Sequence, residues 1–131
     1  MPMLEWSETQ PRLDLPSTEE FDHAIDRLSA RCTESRPTIV AVYAHGHQLI
    51  LGLGLPQSFV QVQQWDDSHN QPALITVGDA TASGQVAFYF LGSHHTEIPQ
   101  RNLIPTPTAR QLAKQFLESG KLSPQVSWEP V

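Results

Sequence analysis

Leucine occupies every second position in the segment Gln48–Leu55, and this alternation constrains the fold more than any other feature of the sequence. Strict alternation places one set of side chains on a single face of a β-strand. The opposite face carries Gly52 and Gly54, and two glycines there indicate that another backbone or a helix approaches closely. The segment therefore predicts a strand with a leucine-rich face in the core.

The residues on either side of this strand predict a sheet built from short strands and tight turns. The predicted strands are Thr38–Ala44, Ser58–Trp65, Ala73–Val77 and Gln85–Leu91, with a last short strand around Val126 and Trp128. The first of them is rich in β-branched residues and is expected to be buried on both faces. Because the intervening turns are short, we expect the strands to form an antiparallel meander.

Two amphipathic helices complete the predicted fold. The first runs from about Thr18 to Glu34, with Ser17 as its N-cap and Glu20 completing a capping box. The second begins near Pro107 and ends before Gly120. The fold class is therefore α+β, with an antiparallel sheet of about six strands and both helices packed on one face. The 131 residues are expected to form a single domain, 1–131.

Composition restricts the partners and the compartment. The formal net charge is −6, which disfavours nucleic acid and anionic membranes and favours a basic partner. Cys32 is the only cysteine, which excludes an intrachain disulfide and a zinc–thiolate cluster. The N-terminus lacks a basic region followed by an apolar run, and the longest apolar stretch, Ile39–Ala44, is short for a membrane span. We therefore expect a cytoplasmic protein.

The histidines do not predict a metal centre. His45 and His47 lie two residues apart, while His94 and His95 are expected in a second loop together with Glu97. Zinc requires three or four ligands brought together, and neither group has the usual ligand spacing. We expect no metal and no cofactor, with the loop histidines solvated or facing a partner.

Nothing in the sequence predicts catalysis, and we expect that the protein is not an enzyme. The run Leu51-Gly-Leu-Gly-Leu lacks the third glycine of a dinucleotide fingerprint and precedes no helix. Asp66 and Asp67 are adjacent on a turn, so their carboxylates diverge and do not suit general acid–base catalysis. They are better explained as an acidic patch.

The C-terminal half resembles the Imm family numbered one, which comprises immunity proteins of bacterial polymorphic toxin systems. The resemblance lies in the run Phe88–Pro99, the segment Asn102–Pro105, a helix carrying Ala109 and Phe116, and then Ser119-Gly120, Pro124 and Trp128. The N-terminal half is similar in layout, with Glu5-Trp6 on an opening strand. The resemblance implies a non-catalytic antitoxin that covers the active site of a cognate toxin, most often a nucleic-acid deaminase and sometimes a nuclease.

Two predicted loops carry chemistry that suits a basic toxin. One presents Trp65, Asp66 and Asp67, an aromatic anchor beside two carboxylates, and the other presents His94, His95 and Glu97. Three alternatives stay open at this point. Glu97 has a structural role if it binds backbone amides, the flat sheet face around Ile50, Gly52 and Gly54 is a competing surface, and an adaptor domain unrelated to toxins is a competing function.

Overall fold

The computed structural model describes residues 2–64 and 73–131. Two α-helices lie in these residues, α1 (Thr18–Arg31) and α2 (Thr106–Ser119). The strands of the N-terminal half are β1 (Met3–Glu5), β2 (Leu13–Asp14), β3 (Thr38–Ala44), β4 (His47–Leu53), β5 (Gln57–Ser58) and β6 (Val60–Gln64). Those of the C-terminal half are β7 (Leu74–Val77), β8 (Gln85–Phe90), β9 (His94–Pro99), β10 (Ile104–Pro105) and β11 (Ser127–Pro130), with a 3₁₀ turn at Gln100–Asn102.

Most strands form one sheet, in the order β11-β7-β6-β4-β3-β1-β2, with every neighbouring pair on this path antiparallel. Strand β3 pairs with β4 along its whole length, from Thr38 opposite Leu53 to Ala44 opposite His47. The other edge of β3 is shared, because β1 pairs with its second half and β8 pairs in parallel with Thr38 and Ile39. The β8–β9 hairpin therefore branches from the middle of the sheet.

Both helices pack on the leucine-rich face of β4. Leu49, Leu51 and Leu53 are buried there, in one core with apolar residues of α1 and α2. Ser17 caps α1 as expected, and its hydroxyl accepts a hydrogen bond from the amide of Glu20. The helix ends at Arg31, earlier than expected, because the backbone is already extended at Cys32 and residues 33–36 turn into β3.

The β8–β9 hairpin covers the opposite face of β4. Phe88 is fully buried, and its ring lies so close to Gly52 that a Cβ there would come within 2.5 Å of it. The close approach expected at Gly52 is confirmed, although the neighbour is a phenyl ring. In the competing binding surface around Ile50, Gly52 and Gly54, the Phe88 ring covers Gly52, and Ile50 packs half-buried against the buried cluster that contains Phe88.

The α+β class, the large antiparallel sheet and the two helices are confirmed, and the sheet has more strands than the six expected. One difference concerns the predicted binding residues. His94, His95 and Glu97 were expected in a loop, but they lie on β9, which pairs with all six residues of β8. The reversal is confined to residues 91–93, where Leu91 and Gly92 both have positive φ.

Candidate binding surface

The outward face of the hairpin brings Tyr89, His95 and Glu97 together. His95 lies directly opposite Tyr89 on the neighbouring strand, and Glu97 follows two residues along β9. Their inward neighbours Phe88 and Ile98 are buried in the core, whereas His95 and Glu97 are exposed. Since side chains alternate across a strand, the three residues share the face turned away from the core.

An arginine from outside the hairpin completes this surface. The guanidinium of Arg36 lies 4.3 Å from the centroid of the Tyr89 ring, a cation–π geometry. Its Nε donates a 3.3 Å hydrogen bond to the carbonyl oxygen of Gly92, which holds the arginine over the strand. On the other side, the rings of Tyr89 and His95 meet edge to face at 5.6 Å. We call Arg36, Tyr89, His95 and Glu97 the hairpin surface.

The hairpin surface contains residue types that are common at protein interfaces. Tyrosine and arginine are enriched among the residues that contribute most binding energy at protein interfaces. Glu97 supplies a negative charge, and its carboxylate has no hydrogen-bond or ion-pair partner within residues 2–64 and 73–131. Binding of nearby backbone amides, the structural role considered for Glu97, is therefore not found among these residues. The charge is available to a basic partner.

His94 does not belong to this surface. It lies on the inward side of the hairpin end, opposite Phe90, and its Nε2 contacts the carboxylate of Glu8. Glu8 in turn lines a cleft of about 390 Å³, together with Trp6 and Arg31. The adjacent histidines of the sequence thus face different surroundings, and only His95 joins Glu97.

Trp65, Asp66 and Asp67 lie outside the described residues, so their predicted role is untouched by the structure. The last described residue before them, Gln64, pairs through its backbone with His47. His47 and Thr38 lie at opposite ends of the β3–β4 pair, and Thr38 is the residue beside Tyr89. Gln64, the last residue of β6, therefore lies at the end of the sheet remote from the hairpin surface.

The other histidines have structural contacts. His45 Nε2 donates a 2.8 Å hydrogen bond to the carbonyl oxygen of Leu117 in the last turn of α2. The rings of His45 and His47 are both edge to face with the Phe116 ring, with centroid distances of 5.9 and 5.5 Å. In the part of the chain that the structure describes, no three histidine, cysteine or acidic side chains form a cluster able to hold a metal ion.

Several basic side chains are engaged in ion pairs. Asp22 of α1 accepts from Arg110 at 2.9 Å and from Lys114 at 2.8 Å, which ties α1 to α2. The hydrogen bond from Lys114, with a further contribution from Arg110, holds the pKa of Asp22 below its usual value. Arg101 forms a second pair with Glu129 at 2.7 Å. These cations do not gather into the basic stripe that nucleic acid requires.

Sequence reasoning named His95 and Glu97 but missed Arg36 and Tyr89. The available signal was the alternation in β8. Phe88 is buried, so the next residue, Tyr89, lies on the other face of the strand and points outward. Arg36 gave no comparable signal, because its contact with Tyr89 depends on the parallel pairing of β3 with β8.

The family of the chain follows from a match over most of its length. Neither helix in the described residues is long and apolar enough to cross a membrane. No curated protein matches the chain. A family model described as "Immunity protein Imm1" matches residues 10–130, which extends the resemblance of the C-terminal half over α1 and the central strands. The chain belongs to the Imm1 family of immunity proteins.

Proposed function

We propose that this protein is the antitoxin of a bacterial polymorphic toxin system and that it neutralises a nucleic-acid deaminase or a nuclease by binding it. The observation that carries the proposal is the family match over residues 10–130. Membership of the Imm1 family implies an immunity function, a toxin protein as the partner and a non-catalytic role.

Charge supports a toxin that acts on nucleic acid. Such enzymes present basic surfaces to the phosphate backbone, and this chain carries a formal net charge of −6. Opposite charges accelerate encounter and orient the partners, which an antitoxin needs if it is to act before the toxin reaches its substrate. Because that substrate is intracellular nucleic acid, we place the action of the protein in the cytoplasm.

We assign the toxin contact to the hairpin surface. Arg36 and Tyr89 provide a preorganised aromatic and cationic anchor, and Glu97 provides a charge for a basic group of the toxin. His95 packs against Tyr89 and extends the same face. None of these side chains is part of the buried core, so binding does not compete with folding.

The test is association of the protein with the toxin domain encoded immediately upstream, in a catalytically inactive form. Glu97→Lys reverses the charge of the hairpin surface, and we expect association at low salt to slow by about tenfold, with a weaker salt dependence. Glu118→Lys is the matched control, since Glu118 is an exposed glutamate on α2, against the opposite face of the sheet. On co-expression with the active toxin, Glu97→Lys should protect cells less well than the unmodified protein, and Glu118→Lys should protect them equally well.

The acidic turn is the rival contact, and the same assay separates the two. Asp66→Lys combined with Asp67→Lys tests the alternative in which Trp65 and its neighbours form the anchor. The interface would lie at the turn if this double variant associated more slowly while Glu97→Lys associated at the same rate as the control Glu118→Lys. Failure of the unmodified protein to bind or protect would contradict the immunity function and favour an adaptor domain.

A further inference from the structure

Strand β9 has an open edge. It pairs with β8 on one side, and no strand of the described residues pairs with it on the other. With six residues it is longer than the strands at the two ends of the main sheet, β2 with two residues and β11 with four. Natural proteins blunt exposed edges by shortening them or by placing lysine, proline or a bulge there. In β9 proline occurs only at the last position, Pro99, and the charged residue is Glu97, which disfavours an acidic strand at this edge but favours a basic one.

The register of the hairpin identifies the backbone groups at this edge. The amide of Gln100 donates a 2.9 Å hydrogen bond to the carbonyl oxygen of Gly84, so these two residues form a hydrogen-bonded pair. In an antiparallel ladder such pairs alternate with non-bonded ones. The backbone groups of His95 and Glu97 therefore point away from β8, together with the carbonyl group of Pro99. Two amides and three carbonyl groups are thus available to another strand.

A cleft of about 530 Å³ runs beside the same edge. Residues 96–99 all line it, and four consecutive residues of a strand meet one cleft only where the cleft follows the strand edge. Beyond the strand, its lining combines the apolar residues Ile75, Pro130 and Val131 with polar groups, namely Gln61, Asn102 and the Arg101–Glu129 ion pair. The outer side is marked by Glu97.

We infer that the toxin docks by adding an extended segment to β9 as a further strand. The inference rests on the proposed immunity function and specifies how the partner is held. A residue opposite Glu97 projects from the same outward face, so the segment carries lysine or arginine there. Its neighbours on either side project into the cleft, whose lining is both apolar and polar. The partner is therefore an extended segment of the toxin that places a cation opposite Glu97.

Amide hydrogen exchange measured residue by residue tests this directly. In the free protein the amides of His95 and Glu97 should exchange fast, whereas those of Thr96 and Ile98 are already bonded to β8. On adding the inactive toxin domain encoded upstream, exchange at His95 and Glu97 should slow by at least about tenfold, with smaller changes at Thr96 and Ile98. Unchanged exchange at His95 and Glu97 in a complex that does form would overturn strand addition and leave the immunity function standing.

A pair of variants isolates the backbone contribution. His95→Pro and His95→Ala both remove the imidazole, but only the proline removes the amide that points to the open edge. We expect His95→Pro to bind the toxin domain about tenfold more weakly than His95→Ala, the effect of losing one interfacial hydrogen bond. Equal affinities for the two variants, both folded by circular dichroism, would contradict the inference. If His95→Pro does not fold, the exchange experiment decides alone.

Two further outcomes are informative. No complex with the unmodified protein refutes the immunity function, and strand addition with it. Protection of His95 and Glu97 in the free protein would mean that residues 65–72 or a second copy of the chain already covers the edge, which overturns the inference. Dependence of that protection on protein concentration separates the two occupants.

Discussion

Replacing Phe116 by alanine tests whether α2 is packed as the structure has it. Phe116 is 2% exposed and lies on the buried face of α2, together with Leu112 and Ala113. The edge-to-face contacts with His45 and His47 close the end of this core next to the β3–β4 turn. Alanine removes the whole ring and leaves a cavity between the helix and the sheet.

The expected cost follows from burial. Truncating a fully buried phenylalanine lowers the free energy of unfolding by roughly 3–5 kcal/mol. The loss is smaller where the surrounding side chains collapse further into the cavity. A domain of this size is stable by about 5–15 kcal/mol, so the variant loses a large share of its stability. Urea denaturation followed by circular dichroism measures this as a lower midpoint with an unchanged slope.

The control is Gln111→Ala, an exposed position on the same helix, which should change the free energy of unfolding by less than about 0.5 kcal/mol. A cost below about 1 kcal/mol for Phe116→Ala would refute the packing argument. In that case α2 would not contribute its apolar face to the core.

Two further predictions concern the helix pair and the hairpin. Asp22→Asn should lower stability at neutral pH by roughly 1 kcal/mol. The difference should be full above the ordinary carboxyl pKa and should shrink as the pH falls through the lowered pKa of Asp22, because the ion pairs stabilise the fold only where the carboxylate is ionised. A difference that does not change with pH would contradict this. Gly52→Ala should cost about 1–3 kcal/mol, because its Cβ would overlap the buried Phe88 ring. In a double-mutant cycle, Phe88→Leu should recover part of that loss; strict additivity would refute the contact.

The parts of the fold that the sequence predicted are those with a clear side-chain period. Thr38–Ala44 forms a strand with the expected bounds, and Gly120 ends α2 with φ of 73°. Strand β9 was missed because its polar residues occur on both faces, which removes the alternation. Its pairing depends on the positive φ at Leu91, and leucine rarely adopts this conformation, so the sequence does not predict the turn.

The candidate site was predictable to a similar extent. His95 and Glu97 were identified because they follow an aromatic strand in a polar run that predicts a loop, and loops often carry the groups that meet a partner. Their association with Arg36 was not predictable, since it requires β8 to lie parallel to the start of β3. A local sequence pattern does not say which edge of a strand pairs with a strand distant in the sequence. The edge of β3 that pairs with both β1 and β8 is an example.

The residues that fix the position of the hairpin differ from those on its outward face, to which we assign the toxin contact. Phe88 anchors it, because the absence of a side chain at Gly52 leaves room for the ring against the sheet. Along the same two strands, Tyr89, His95 and Glu97 face outward and contribute little to the core. Substitutions on that face should therefore change partner preference at small cost in stability. An antitoxin scaffold needs this independence if its specificity is to change while its fold does not.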